Sequence, residues 1–193
     1  MKKGTIWMSL GILLILAAFS LAIYNIYQER EAQQESSVIL EQLVNEIDIN
    51  EQQPDDMENV LTLEMLSISI AGNQYVAVLQ LPTLGLELPV MESWSYPKLR
   101  LAPCRYRGSV HTKDLIIAAH NYSSHFGQIK TLVIGDEVVL WDVNGNSYVY
   151  EVVELEELGG TAVEEMEAGD WDLTLFTCTY GGRSRVTVRC KMI

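Results

Sequence analysis

Cys178 is the residue in this 193-residue chain best placed to act as a nucleophile. It follows the run Leu173-Thr174-Leu175-Phe176-Thr177, which reads as a strand, and precedes Thr179-Tyr180-Gly181-Gly182, which reads as a loop. A thiol at a strand end is rigidly backed yet open to substrate. His120 holds a matching position, closing the apolar run Leu115-Ile116-Ile117-Ala118-Ala119. A thiol and an imidazole, remote in sequence and both at strand ends, form the arrangement expected for acyl transfer, one as nucleophile and the other as acid and base. Such a reaction builds negative charge on a carbonyl oxygen, and a fixed cation can stabilise it. Arg183, Arg185 and Arg189 follow the thiol. Period-two alternation puts Arg185, Thr187 and Arg189 on one strand face and Val186 and Val188 on the other. Arg185 opens that strand and is the arginine expected to reach a carbonyl held at the sulfur. Each residue alone has a plainer reading: a buried small hydrophobe for a cysteine, a structural histidine, a solvated strand charge for an arginine.

Other residues with chemistry are less well placed. Cys104 follows Pro103 in what reads as a loop, and Cys190 lies near the end of the last strand; outside a cell these two could pair as a disulfide and leave Cys178 free. His111 and His125 sit in polar loop surroundings. The cysteines lack metal-ligand spacing such as C-x-x-C, and no metalloprotease or phosphate-loop motif occurs, so neither a metal nor another cofactor is expected. The acidic run Glu164, Glu165 and Glu167 reads as a solvated loop.

The elements that must hold these residues follow from composition and pattern. With 13 Lys+Arg against 26 Asp+Glu, the net charge of −13 disfavours nucleic acid, whose phosphates call for clustered cations. Ile6 to Tyr24 is an apolar run with no charged residue inside it, and at 1.5 Å per residue it covers about 29 Å, close to the hydrocarbon thickness of a bilayer. Lys2 and Lys3 precede it, whereas Glu29, Arg30 and Glu31 follow, so the N-terminus is expected in the cytoplasm and the remainder outside. The run is long for a cleaved signal, and no A-x-A site with a turn follows it, which favours an uncleaved anchor. The expected organisation is a cytoplasmic tail over 1–5, a transmembrane anchor over 6–24, an extracytoplasmic stalk over 25–60 and a β domain over 61–193. Within the stalk Ser37 could cap a short helix through Ile47, and Pro54-Asp55-Asp56 breaks any helical pattern.

In the β domain the expected strands are 67–70, 76–81, 86–90, 115–119, 137–142, 147–155, 172–177 and 185–190, with weaker helical signals over 93–99 and 128–133. Asn144-Gly145-Asn146 marks a hairpin between two of them. Many short strands with few helices favour a closed barrel or a sandwich.

Thr174-Leu175-Phe176-Thr177-Cys178 matches the T-L-x-T-C signature of the sortase family. Ala118-Ala119-His120-Asn121, then Phe126-Gly127 and Leu132-Val133-Ile134-Gly135-Asp136, resembles the sortase histidine strand and the turn after it. Upstream, Leu81-Pro82-Thr83-Leu84-Gly85 and Leu88-Pro89-Val90 are similar to the family's opening strand pair, and Arg185-Val186-Thr187-Val188-Arg189 resembles its last strand. The elements come in sortase order over about 67–193. The resemblance implies a mostly β fold, an eight-stranded sortase-type β-barrel with short helices after an N-terminal transmembrane helix. It implies Cys178 as nucleophile, His120 as acid and base, and Arg185 as partner of the oxyanion or substrate carbonyl; Thr177 and Asn121, their neighbours, are expected to contact substrate. It further implies a single-pass cell-membrane transpeptidase with its catalytic domain extracellular. That enzyme would cleave an LPxTG-like sorting signal on surface proteins and transfer them to an amine of a peptidoglycan precursor or a pilin lysine. Ala119 stands where many sortases carry Gly, and the segment from Cys178 to Arg185 is short; features resembling class B and class D both occur. A hydrolytic cysteine peptidase and a non-catalytic surface β domain are the alternative readings of the same residues.

Overall fold

Strict alternation decides which way each strand faces. Along 173–178 the side chains of Leu173 and Leu175 enter the barrel core, while Phe176 and Cys178 point outward. The same period sends Leu115, Ile117 and Ala119 inward and Ala118 outward, and Val186, Val188 and Cys190 inward with Arg185 outward. The computed structural model describes residues 2–52 and 64–193. Nine strands appear there: β1 (Ile68–Ile70), β2 (Asn73–Leu81), β3 (Leu86–Met91), β4 (Cys104–Arg107), β5 (Leu115–Ala119), β6 (Glu137–Asp142), β7 (Ser147–Gly159), β8 (Leu173–Cys178) and β9 (Ser184–Met192).

Strands β2 to β9 hydrogen-bond in the order β2-β3-β4-β5-β8-β9-β7-β6, and β6 returns to β2 through Ala77↔Asp142 to Gln80↔Val139, so an eight-stranded barrel closes with no free edge. Strand β1 is outside that ring, paired only with the start of β2. The predicted count of eight was therefore met by a different set. Residues 68–70 hang off the barrel, and β4, expected as a loop, is one of its staves. Cys104-Arg105-Tyr106-Arg107 has too few apolar residues to read as a strand; it is held by antiparallel pairing to β5 and a parallel contact with β3. The hairpin expected at Asn144-Gly145-Asn146 is present, with Asp142 Oδ1 accepting from the backbone N–H groups of Asn144 and Asn146 at 2.9 Å each.

Two short helices lie in the connections between strands: α2 (Tyr96–Leu99), capped by the Ser95 side chain accepting from Lys98 N–H, and α3 (Val163–Glu167). A 3₁₀ turn covers Ile129–Thr131. The N-terminal helix α1 runs unbroken over Lys2–Gln52. Its most apolar stretch has a mean hydropathy of 2.5 and none of it is covered by the barrel. This single N-terminal helix spans the membrane, and the β-barrel lies on the extracellular side.

The separate short helix expected over 37–47 is the outer part of α1; the break at Pro54-Asp55-Asp56 falls outside the described residues. Ala32, Ser36, Leu43 and Ile47, at steps of four, seven and four, are buried on one face. Leu43 and Ile47 pack with Ile70, Tyr75, Val78, Met91, Ala102, Cys104 and Val143 on the outside of the barrel. Full burial of a side chain such as Leu43 contributes about 1.5–3 kcal/mol.

Candidate active site

Three neighbouring strands bring the expected residues to one place. Strand β5 lies parallel to β8 with Ala119 opposite Thr177, so the next residues, His120 and Cys178, leave the sheet side by side. Strand β9 is antiparallel to β8 with Cys178 opposite Arg185. Adjacent strands are about 4.8 Å apart, which puts imidazole, thiol and guanidinium within the width of three strands on the outer face. Their placement is a property of sheet register rather than of a flexible loop.

The β8–β9 connection keeps that register. Thr179 N–H donates to Ser184 O at 3.0 Å and Gly182 N–H to Thr179 O at 2.8 Å, closing a tight turn. Gly181 and Gly182 hold φ of 83° and 69°, left-handed values that glycine adopts without a Cβ penalty. One Arg185 Nη1 donates to the carbonyls of Gly182 and Ser184, each at 3.0 Å, so the turn also fixes the cation beside the sulfur.

Burial separates the three cysteines. All are free thiols, with Cys178 exposed and Cys104 and Cys190 buried. The disulfide considered for the latter pair is not formed: Cys190 lies in the barrel core, and Cys104 in the outer cluster under α1. Burial pushes both of these thiols up to about 12, holding them protonated and inert at neutral pH.

His120 is half-buried in a built environment. Its ring stacks on Tyr122, with centroids 4.5 Å and planes 7° apart, and the Tyr122 ring lies 5.5 Å from the ring of His125. Burial lowers the His120 pKa below its ordinary 6.5; the ring's hydrogen bond to the Asn121 side-chain oxygen works the other way, and the nearby Arg100 charge lowers it further. The ring is thus predominantly neutral at pH 7 in the free enzyme. No partner for the imidazole is legible in the sequence; the structure gives Asn121 and Tyr122. The His120 loop is tied down by Phe126 N–H donating to His120 O at 3.1 Å and Gly127 N–H to Tyr122 O at 2.8 Å. A Cβ at Gly127 would come within 2.6 Å of Asn121 O and 2.7 Å of Tyr122 O, so only glycine fits there.

The other expected residues play other parts. Thr177 is buried, and its hydroxyl donates to Ala119 O at 2.8 Å, pinning β8 to β5 one residue before Cys178 and His120. Arg189, on the same strand face as Arg185, is 2% exposed and fully engaged. It pairs with Glu156 at 2.8 Å and donates to Met166 O, Glu165 O and Thr174 Oγ1. These bonds hold the β7–β8 connection over the sheet and leave Arg189 no role at the sulfur. Arg183 lies in the exposed turn.

A groove of about 190 Å³ runs past Cys178 and Arg185. Ala118 and Phe176 form its floor, Val163 and Met166 of α3 one wall, and Trp94, Tyr96, Leu99 and Tyr106 the other. Tyr106 meets Phe176 edge-on at 5.4 Å and Trp94 at 5.6 Å. The groove is thus suited to an apolar extended peptide whose carbonyl ends at the thiol.

An exposed thiol flanked by an imidazole and a guanidinium, level on adjacent strands of a closed barrel, is an arrangement whose chemistry suits cysteine acyl transfer. A family described as the Sortase domain matches residues 79–193, a span that contains all three groups, and the chain belongs to the sortase family. It is 30% identical over 121 residues to sortase A of Bacillus anthracis; the match covers 60% of this chain and 57% of that protein's length. The fold is shared with a sortase D5 transpeptidase of Clostridium perfringens, with a TM-score of 0.61 at 17% identity over 83% of this chain and 99% of that one. It is shared too with sortase C1 of Streptococcus agalactiae, with a TM-score of 0.56 at 22% identity over 79% and 89%.

Proposed function

We propose that this chain is a cell-surface transpeptidase that cleaves an LPxTG-like sorting signal on surface proteins and joins the new carboxyl end to an amine of a peptidoglycan precursor or a pilin lysine. The observation that carries the reading is the register of β5, β8 and β9, which sets His120, the one exposed thiol and Arg185 in a row, with Cys178 and Arg185 lining an apolar groove. In this reading Cys178 is the nucleophile, His120 the acid and base, and Arg185 the oxyanion partner, with Asn121 and Thr177 positioning the pair.

The acyl half of the peptide lies in the apolar groove, and its carbonyl carbon is attacked by the Cys178 sulfur as thiolate. Negative charge moves to the carbonyl oxygen, where the guanidinium of Arg185, permanently charged and already oriented by its turn, meets it. As the C–N bond breaks, protonated His120 gives its proton to the departing amine, which leaves poorly as an anion. A thioester on Cys178 and a free amine result. A second amine then adds to the thioester carbon, His120 takes its proton, and Cys178 leaves as thiolate. Because burial disfavours imidazolium, few resting molecules hold the thiolate–imidazolium pair, and a modest turnover rate is expected.

The test uses a panel of LPxTG-like peptides with an added amine. Mass spectrometry should find an acyl adduct on Cys178 and amine-ligated product, both absent in Cys178→Ala. Ligation retained by Cys178→Ala would overturn the assignment, and an adduct giving only hydrolysed peptide with every amine would make the chain a peptidase.

A further inference from the structure

The face of α1 that seats on the barrel through Ala32, Ser36, Leu43 and Ile47 continues toward the membrane as Gln28–Glu29 and Asn25, again at helical spacing. There it stops being a packing face. Asn25, Gln28 and Glu29 form one wall of a cavity of about 550 Å³ whose other walls include Arg100, His120 and Tyr180. Glu29 accepts hydrogen bonds from both the backbone N–H and the hydroxyl of Ser123, which fixes its carboxylate over the loop that carries His120. Glu29 and Arg100 both act electrostatically on Tyr122, the ring stacked on His120. The groove with Cys178 and Arg185 and the chamber with His120 are thus two sides of one catalytic row. The groove is lined mainly by aromatic and aliphatic side chains; the chamber is lined mainly by polar ones, four amides, a serine, two tyrosines and His120, with one carboxylate and one guanidinium.

We propose that this chamber binds the acceptor of the second half-reaction, and that Glu29 and Arg100 recognise an α-amino acid end, with its ammonium on Glu29 and its carboxylate on Arg100. The proposal rests on the transpeptidase reading above and adds a substrate site that the membrane helix helps to build. The argument is one of charge and position. An acyl-enzyme in the groove exposes its thioester carbon between Cys178 and His120, so the attacking nitrogen must come from the His120 side. A primary amine arrives protonated at neutral pH, and the chamber's carboxylate gives that cation a partner while Arg100 takes the anion beside it. The bound ammonium loses one proton to water and becomes nucleophilic. Its nitrogen bonds to the thioester carbon, the C–S bond breaks with the electron pair leaving on Cys178, and the second proton passes to His120. Glu29 lies five residues beyond Tyr24, about 8 Å along the helix, so the chamber opens at the outer membrane surface.

The experiment uses the full chain in detergent micelles, acylated on Cys178 by a sorting peptide and then offered glycine, glycinamide or hydroxylamine. Glu29→Gln keeps an acceptor oxygen for Ser123 and removes only the charge. Loss of a charge-assisted contact is expected to slow ligation of glycine and glycinamide by about tenfold or more. Hydroxylamine, uncharged at neutral pH, should react as with the wild type. Arg100→Gln should slow glycine and spare glycinamide. If Glu29→Gln slows hydroxylamine as much as glycinamide, Glu29 merely holds the loop and the acceptor site is refuted. If Arg100→Gln treats glycine and glycinamide alike, the α-amino acid end is refuted. Acylation of the wild type with no ligation of any of the three would overturn the transpeptidase reading itself, along with this one.

Discussion

Acid should destabilise this protein through one residue that does no chemistry, His125. Its ring is wholly buried, and neither ring nitrogen has a hydrogen-bond partner among the described residues. Burial is the main reason its pKa falls to about 4; the facing charge of His120 lowers it further, and Glu29 opposes both. In the unfolded chain the group returns to about 6.5. Above that value the ring is neutral in both states and has no effect on stability. As pH falls below 6.5 the unfolded chain takes up a proton that the folded chain refuses. Stability is therefore lost across the window from about 6.5 down to about 4, by roughly 3 kcal/mol in all and roughly 2 kcal/mol by about pH 5. Stopping at about pH 5 keeps the chain above its pI of about 4.5, where it still carries net negative charge. Carboxylates contribute to acid unfolding too, so the informative quantity is a difference. His125→Leu removes no hydrogen bond and nearly conserves volume, and should stay within about 1.5 kcal/mol of wild type at neutral pH. Urea unfolding of both proteins in micelles, followed by near-ultraviolet circular dichroism, should show the leucine variant gaining roughly 2 kcal/mol relative to wild type between about pH 7.5 and 5. Parallel pH dependences would refute the reasoning.

Other perturbations separate positioning from chemistry. Tyr122→Ala should raise the His120 pKa by re-exposing the ring, and Asn121→Ala should lower it by removing the hydrogen bond to the charged form; ring-proton titration by nuclear magnetic resonance reads both, and shifts of the same sign would be inconsistent with the site. Arg189→Ala should destabilise the fold by about 3–5 kcal/mol, because the interior partners of a buried cation are left unpaired, whereas Arg183→Ala should stay within about 0.5 kcal/mol; equal thermal midpoints would refute the division. Gly127→Ala should push Asn121 and Tyr122 off their positions and slow acylation by up to about a hundredfold while the barrel stays folded, since displacement of about 1 Å at a reacting group has that effect; unchanged acylation would show the loop to be compliant. Alkylation of the folded protein should modify Cys178 and spare Cys104 and Cys190, and a reagent that labels all three without unfolding would contradict their burial.

Much of the site was legible because strand ends are legible. The runs before His120 and Cys178 are apolar and bounded, so their last residues could be placed without knowing which strands are neighbours. What the residues alone could not supply is the parallel β5–β8 pair, since a register of Ala119 against Thr177 joins positions 58 residues apart. The family resemblance stood in for that missing geometry. Arg189 shows the limit: alternation correctly assigns it to the face of Arg185, but only the folded β7–β8 connection reveals that this part of the face is covered. Strand β4 was missed for the opposite reason, because its pairing with β5 overrides a local sequence of two arginines, a cysteine and a tyrosine.

Helix α1 carries two codes in one continuous element, and this explains why its outer part reads in sequence as a spacer with only a short helix. Over Ile6 to Tyr24 the helix is predominantly apolar and carries no charge, as a lipid environment requires. Beyond that the chain becomes rich in Gln and Glu, which reads as a solvated spacer, yet a thin stripe at helical spacing remains apolar or small. A stripe that narrow is weak in any window average, but it suffices when the partner is a barrel wall already carrying Ile70, Tyr75, Val78 and Met91. An unbroken helix transmits the rotation fixed by Leu43 and Ile47 to residue 29 and on into the membrane, so the face that seats the barrel also determines what overlooks His120. Inserting one alanine between Ser36 and Leu43 would turn the N-terminal part of the helix by about 100° relative to the seated part. Glu29 would leave the chamber while the barrel, its core and the Cys178 row stayed intact. Acylation of Cys178 should survive that insertion and glycinamide ligation should not. Survival of both would mean that the helix serves only as an anchor.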